Sequence, residues 1–524
     1  MQQVLINGQW QDAESAGSFH ADNPATKEAL PDQFPFSSWN DCDAALDAAS
    51  SAFEALQKLP SSKIAEFLRR YADLIEENKQ ALCELAHAET ALPLSPRLLD
   101  GELPRTTGQL RQAADAAEDG SWKSIVIDTA TGIRSYFSAI GPVCVFGPNN
   151  FPFAFGSASG GDFAAAIAAG NPVIAKANSS HPGTTREFAK LAQQAVNETG
   201  LPAATVQLIY RTNHSDGARL VSDPRTGATG YTGSRNAGLV LKEAADKVGK
   251  PIYLELSSVN PVVILPGALK ERGEEIAADF SGSCLMGTGQ FCTNPGMVIL
   301  INDESTEGFV NSLTTKFKEA PVGTLLSRTT EKGLATSILT LIDAGAKQLT
   351  GGSPGDGTGY SHGNTLLKVS GTHYLTDAEV FQTEAFGNSS LLVIADDQHQ
   401  AWAILHSLEG NLTGCIYSDT QGSDDATYDA LAPTLRQKVG RLLNDKMPTG
   451  VAVSPAMNHG GPFPATGHPG YTAVGIPASL HRFSMLQCYD DVRTHRLPAE
   501  LQDKSPNATM WRNVDGVLKQ GDVC

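Results

Sequence analysis

Gly141-Pro142-Val143-Cys144-Val145-Phe146-Gly147-Pro148-Asn149-Asn150-Phe151-Pro152 is a short apolar run that stops in a turn of glycine, proline and asparagine. Such a run reads as a buried strand. The texture recurs at 172–175 (Pro-Val-Ile-Ala), 205–209 (Thr-Val-Gln-Leu-Ile), 227–231 and 252–256, with amphipathic segments of helical length between the runs. One of these segments opens on Thr184-x-x-Glu187, read as a capping box, and closes on Gly200, a C′ glycine. Alternation of this kind predicts βαβ crossovers and a parallel sheet with helices on both faces, an α/β fold. Such sheets take ligands beyond the carboxyl ends of their strands. Asn149-Asn150, Lys176, Arg211, Thr232-Gly233-Ser234 and Glu255 all fall at or just after an expected strand end.

Outward from this core, residues 41 to about 92 read as helical, with Ile64, Phe67, Leu68, Tyr71 and Leu74 forming one apolar face. Met1 to Gly8 lacks a basic region followed by an apolar core and reads as a hairpin, because Asn7-Gly8 suits a type I′ turn. Ser124–Asp128 and Ile133–Ala139 read as two strands around Thr131-Gly132. A second mixed α/β segment runs from about 258 to 460 and contains a glycine-rich loop, Gly351 to Gly363, expected as a surface connection. Met485 to Val492 reads as a lone strand in need of a partner.

The 524 residues carry 39 basic and 57 acidic side chains, a net charge of −18, and 41% are hydrophobic. This size and composition suit a globular chain of two or three domains. An acidic surface of that strength repels nucleic acid and anionic lipid. No apolar run approaches the roughly 18 residues of a membrane span. The eight cysteines (42, 83, 144, 284, 292, 415, 488, 524) form no CxxC pair, and Cys524, as the last residue, offers no prenylation box. Free thiols in a reducing, cytoplasmic setting are the expectation. The 12 histidines show no ligand spacing, so no metal is expected.

Three segments carry chemistry. Cys292 follows Gly289-Gln290-Phe291 and precedes Thr293-Asn294-Pro295-Gly296, small and turn-forming residues that admit a ligand to the backbone. A thiolate is a strong nucleophile once a cation, helix N-terminus or base activates it; the alternative is a buried thiol acting as a small hydrophobe. Glu255, at the end of an apolar strand, suits a general base with a raised pKa, or else a salt-bridged structural carboxylate. Asn150 could donate its side-chain N–H to an oxyanion, or simply serve the turn. Thr232-Gly233-Ser234-x-x-x-Gly238 would let a phosphate approach a helix N-terminus, although it lacks the GxGxxG spacing. Lys176 reads as a ribose or phosphate ligand, or a solvent-facing lysine. Glu384, in Thr383-Glu384-Ala385-Phe386-Gly387, reads as a ribose ligand, or an ordinary loop carboxylate.

In this order the segments resemble the aldehyde dehydrogenase superfamily, over nearly the whole chain from Val4 to Tyr489. Gly289-Gln290-Phe291-Cys292 is similar to its nucleophile motif, Leu254-Glu255-Leu256 to its base motif and Asn150-Phe151-Pro152 to its Asn-Phe-Pro turn. Tyr231-Thr232-Gly233-Ser234 stands where the family often has Phe-Thr-Gly-Ser, and Glu384-x-Phe386-Gly387 is similar to its ribose-binding motif. Asn458-His459-Gly460-Gly461-Pro462-Phe463-Pro464-Ala465-Thr466 resembles the branch of α-ketoglutaric semialdehyde (2,5-dioxopentanoate) dehydrogenases, as do Gly282-Ser283-Cys284 through Pro295 and Arg105-Thr106-Thr107-Gly108-Gln109. NADP-dependent fatty aldehyde dehydrogenases share much of that pattern.

The resemblance implies a Rossmann-like cofactor-binding domain (1–120 and 140–256), an α/β catalytic domain (257–465) and a small β oligomerisation arm (121–139 and 483–500) in a homodimer or homotetramer. It implies attack by Cys292 on an aldehyde, with Asn150 and the Cys292 N–H holding the oxyanion, hydride transfer to a nicotinamide, and hydrolysis of the thioester by water that Glu255 activates. Retention of Glu255 favours water over coenzyme A as acyl acceptor. The expected substrate is 2,5-dioxopentanoate, oxidised to 2-oxoglutarate. The alternatives are an aliphatic (fatty) aldehyde and, more remotely, acyl-enzyme hydrolysis without a nicotinamide. Phe151 and Phe291 are expected to line the substrate site, with Arg105 on a substrate carboxylate or in a structural salt bridge. Two departures bear on ligands. Asn149 replaces a common aromatic, implying a more polar substrate tunnel. Ser179 stands where NAD-preferring members often carry Glu, and Arg211 could pair with a 2′-phosphate, which favours NADP with NAD as the alternative.

Overall fold

In the computed structural model, which describes residues 1–15 and 17–523, all five apolar runs between 142 and 256 form strands. They are Val143–Phe146, Val173–Lys176, Val206–Ile209, Ala228–Thr232 and Ile252–Glu255. All are parallel, and Val143–Phe146 lies at the centre, the next two strands to one side and the last two to the other. Chain direction along the sheet therefore reverses beside that strand, and a crevice opens where the turns after Phe146 and Thr232 diverge. The N-terminal hairpin, Val4–Ile6 with Gln9–Gln11, extends the same sheet antiparallel through Leu5 and Leu208. Its turn residues take φ of 49° at Asn7 and 72° at Gly8, the left-handed pair of a type I′ turn.

Helices cover both faces. Trp39–Leu56, Ser61–Glu77 and Lys79–Thr90 fill the region read as helical, and Ile64, Phe67, Leu68, Tyr71 and Leu74 are all buried. The capping box expected at Thr184 does not form. Pro182 starts its helix two residues earlier, Thr184 falls inside the first turn, and Glu187 pairs with Arg186 and Lys190. The cap comes instead from Glu89, 95 residues away from Thr184: its buried carboxylate accepts from Gly183 N (2.8 Å), Thr184 N (2.8 Å) and Thr184 Oγ1 (2.7 Å). At the other end Gly200 is left-handed, as read.

The second segment folds around its own seven-stranded sheet, with Met297–Ile301, Val262–Ile264 and Asn411–Tyr417 as adjacent parallel strands near its centre. The glycine-rich loop is exposed only in its earlier part. Tyr360 to His362 are buried, and Tyr360 bonds Asp22 Oδ2 (3.1 Å) and Pro24 O (2.9 Å) of a hairpin, Ser18–Asn23 with Glu28–Pro35, that was not read from the sequence.

Ile125–Ile127 and Ile133–Ala139 form the expected hairpin. The strand near 485 is not alone: Ser484–Asp490 pairs antiparallel with Ile133–Ala139 along seven residues. Two further strands, Arg512–Val514 and Val517–Lys519, complete a five-stranded sheet that runs past residue 500. Among the described residues no helix is long and apolar enough to cross a membrane, and the seven described cysteines are all free. Cys524 lies outside the described residues.

Candidate active site

The nucleophile candidate sits in a turn between the helix Pro266–Leu285 and the strand Met297–Ile301. Gly289 is left-handed (φ 68°), and a Cβ there would lie 2.0 Å from Gly387 O, so only glycine lets the turn meet the Glu384–Gly387 segment. Gln290 clamps the same turn by accepting from Leu326 N (2.8 Å) and donating to Thr324 O (3.2 Å). Asn260, itself left-handed, donates to the carbonyls of Cys292 (2.8 Å) and Asn294 (2.9 Å). Asn411 Oδ1 holds that asparagine's own turn by accepting from Val259 N and Asn260 N. These amides fix the Cys292 backbone, whose N–H donates to no acceptor among the described residues.

Glu255 ends its strand buried, 5% exposed. Leu256 N donates to Ala465 O (2.8 Å), and Glu255 bridges Thr466, so the 458–466 segment is zipped against the strand end. That zipper delivers a residue the sequence reading did not place in the site. His459 Nε2 lies 2.9 Å from Glu255 Oε1 and 3.5 Å from Cys292 Sγ. The close approach needs glycines: a Cβ on Gly440 would lie 1.8 Å from Gly460 O. The available signal was a histidine inside a glycine and proline turn, the same small-residue texture that surrounds Cys292.

Burial pushes the Glu255 carboxyl up, but His459, the Cys292 thiol and the Arg482 cation together more than offset it, and the net shift is downward. The raised value expected from the sequence is thus reversed, because the strand end is not wholly apolar. Glu255 Oε2 has no hydrogen-bond partner. The Cys292 thiol is pushed well up, first by burial and then by the neighbouring Glu255, with Arg105 pulling the other way. It therefore rests protonated and needs the adjacent base to give up its proton. Asn150, 5% exposed, donates one Nδ2 hydrogen to Gln290 O (3.0 Å), which leaves the second for a ligand.

Next to Cys292 in the chain, Phe291 joins Phe151, Phe155 and Val474 in a buried apolar cluster. The Phe151 ring stands 5.4 Å from both Phe155 and Phe291. Arg105 lies over the Phe155 ring at 5.2 Å and donates Nε to Gln109 (3.1 Å), while its buried Nη2 has no partner. Among the described residues it forms no ion pair, so the structural salt bridge is not its role here. Asn149 lies elsewhere: it faces Thr330 in a large cleft and not the aromatic cluster.

That cleft, about 1000 Å³, runs from Cys292 and Glu255 across the carboxyl ends of the first sheet. Lys176, Ser179, Arg211, Gly233, Ser234, Glu384 and Phe386 all line it. Lys176 is lowered to about 8, by burial and then by the neighbouring Arg211 cation, and neither cation forms an ion pair among the described residues. Two like charges left unpaired in one wall suit an anion such as a phosphate. Burial raises Glu384 to about 7, and its Oε1 accepts from Ser258 N (3.2 Å). Gly233 N is already bonded to Glu255 O (3.1 Å), so that N–H is not free for a ligand.

A crevice of this size at the sheet's switch point, opening onto a buried thiol, carboxylate and amide, agrees with the comparisons. The aldehyde dehydrogenase family model matches residues 10–451, and the chain belongs to that family. It is an oxidoreductase that acts on aldehydes. The α-ketoglutaric semialdehyde dehydrogenase 2 of Azospirillum brasilense is 38% identical over 508 residues, 95% of each chain. The α-ketoglutaric semialdehyde dehydrogenase of Acinetobacter baylyi is 36% identical over 528 residues, 98% of each. In fold the chain is similar to PnpE from Pseudomonas sp. WBC-3, with a TM-score of 0.80 at 23% identity over 95% of this chain and 100% of that one. It is likewise similar to an NAD+ complex of aldehyde dehydrogenase from Bacillus cereus, with a TM-score of 0.79 at 21% identity over 93% and 96%.

Proposed function

We propose that the chain oxidises 2,5-dioxopentanoate to 2-oxoglutarate, with NADP as the favoured cofactor and NAD as the alternative. The observation that carries the substrate is Arg105. A half-buried arginine whose buried Nη2 has no partner, set against the aromatic cluster that Phe291 joins next to Cys292, suits the distal carboxylate of an aldehyde acid. The relatives from Azospirillum brasilense and Acinetobacter baylyi carry the name of that activity. An aliphatic aldehyde would leave Arg105 unpaired on binding, at a cost of about 1 to 3 kcal/mol.

Cys292 Sγ passes its proton to Glu255 Oε2, the oxygen without a partner, while His459 Nε2–H donates to Oε1 and holds the carboxylate in place. The thiolate adds to the aldehyde carbon, and the new oxyanion is held by the second Asn150 Nδ2 hydrogen and the Cys292 N–H. Bound nicotinamide supplies the hydride acceptor. Glu255, its proton returned to solvent through the cleft, then takes a proton from the water that attacks the thioester, and Cys292 leaves as thiolate. Lys176, Arg211 and Ser179 would bind phosphate, and Glu384 ribose hydroxyls. Unpaired Arg211 and the absence of an acidic side chain at Ser179 support NADP.

The domain division and the arm are part of the same reading. Ser484–Asp490 is the edge strand of its sheet, and Met485, Leu486, Val517 and Leu518 of that sheet are exposed. An open edge beside exposed apolar side chains suits a second copy of this chain, in a homodimer or homotetramer. Free cysteines support a cytoplasmic setting.

The test is initial rates with 2,5-dioxopentanoate, succinic semialdehyde and a medium-chain aliphatic aldehyde, each with NAD and NADP, with Cys292→Ala as blank. The dioxo acid is expected to lead, and Arg105→Ala to raise its KM at least tenfold while leaving the aliphatic aldehyde unchanged. An aliphatic preference, or an Arg105→Ala enzyme with unchanged KM, overturns the substrate assignment.

A further inference from the structure

Cys292, His459 and Glu255 come from three separate segments, yet one donor atom from each lies within 4.8 Å of the other two. We propose that the three form a binding site for a soft divalent cation, with zinc as the type ion, that reversibly holds the resting enzyme inactive. No spacing motif reveals such a site, because its ligands are 37 and 167 residues apart in sequence (292 − 255 and 459 − 292).

The geometry suits zinc. Tetrahedral zinc with bonds of about 2.3 Å to sulfur and about 2.0 to 2.2 Å to nitrogen and oxygen places its S and N donors about 3.6 Å apart, and N and O about 3.3 Å. Sγ to Nε2 is 3.5 Å, and Nε2 to Oε1 is 2.9 Å. The second pair opens by about 0.4 Å once the cation replaces the proton between them. Glu255 Oε2, buried and without a partner, leaves the carboxylate one oxygen not committed to a hydrogen bond. Glu255 and His459 are 5% and 2% exposed, while partly exposed Cys292 lies on the cleft wall, so the fourth position opens to water. Thiolate, imidazole and carboxylate are the zinc ligands of proteins, whereas magnesium and calcium need six or more oxygens.

Binding breaks the S–H bond and sends that proton to buffer, frees His459 Nε2 by moving its proton to Nδ1 or, from the imidazolium, to buffer, and forms the metal–sulfur, metal–nitrogen and metal–oxygen bonds with no change of oxidation state. Coordination draws charge from the thiolate and takes up Glu255 and His459 as well, so occupancy and turnover exclude each other. Only that consequence rests on Cys292 being the nucleophile; the binding does not.

The experiment titrates metal-free enzyme with zinc against a chromophoric chelator, and in parallel follows aldehyde oxidation. The expected result is one zinc per chain, bound at least tenfold more weakly by both Cys292→Ser and His459→Ala, with activity lost on binding and restored by EDTA. Cobalt in place of zinc should show a sulfur-to-metal charge-transfer band that Cys292→Ser abolishes. Zinc affinity unchanged in both variants, or no zinc bound, overturns the proposal. Zinc binding with the cobalt band, in an enzyme that leaves 2,5-dioxopentanoate unoxidised when metal-free, sustains the site and overturns the proposed substrate instead.

Discussion

Glu255 feels two opposed forces, and in its proposed role as the base which one wins sets the pH at which the enzyme works. Burial raises its pKa, and the His459 contact at 2.9 Å lowers it, for a net downward shift. The carboxylate therefore persists as pH falls, and the base stays available. In His459→Asn the largest part of the offset is gone while Cys292 and Arg482 remain, so the acid limb of the kcat profile moves to higher pH; a limb that stays in place or moves to lower pH contradicts the assigned role. Glu255→Gln keeps the thiol, the oxyanion donors and the cofactor wall. Its first turnover is expected to give a burst of reduced cofactor, with steady-state turnover falling by roughly a hundredfold or more. Rapid-mixing absorbance separates the two phases. Arg211 holds no partner in the cleft wall, so Arg211→Ala is expected to raise the NADP KM roughly tenfold or more and leave the NAD KM little changed. The candidate thiol, base and amide were legible as residue types next to glycine and proline turns. His459 was not, because nothing in its own neighbourhood shows that its segment zips onto the Glu255 strand.

At the scale of elements, strands of four or five apolar residues closed by turns were legible because a strand in a parallel sheet buries both faces. All five in 142–256 lie where the apolar runs ended, within a residue or two. The start of the helix Pro182–Thr199 was misread for a specific reason. Its donors are satisfied by Glu89, a long-range acceptor, while the local Thr184-x-x-Glu187 pattern lies inside the helix. Glu89→Ala would strand three buried donors and is expected to cost about 2 to 4 kcal/mol, seen as a lower midpoint of thermal unfolding. Glu89→Gln keeps one acceptor oxygen and should lose less. An Ala variant as stable as the parent would show that water replaces the carboxylate. Arg512–Val514 and Val517–Lys519 escaped notice since three-residue strands carry too little periodicity to register.

For the whole molecule, the five-stranded sheet joins residues 125–139 to 484–519 and presents the edge strand Ser484–Asp490 with Leu486 exposed. Leu486→Asp places a charge on that edge and is expected to shift the protein toward monomer in sedimentation, with the active-site residues untouched. An unchanged mass would move the subunit contact elsewhere. Sequence by itself determined the α/β alternation, the order of the thiol, base and amide motifs, and the strand ends at which they sit, because strand burial and turn chemistry are local and leave their mark in a few consecutive residues. Only the tertiary structure decided that His459 reaches both Cys292 and Glu255, that Glu89 caps a helix in another segment, that Arg105 keeps an unpaired N–H beside the aromatic cluster, and that Asn149 faces the large cleft. Each of these is a contact between segments distant in sequence, fixed by packing and by the pairing of buried polar groups, and no local pattern encodes which partner will be found.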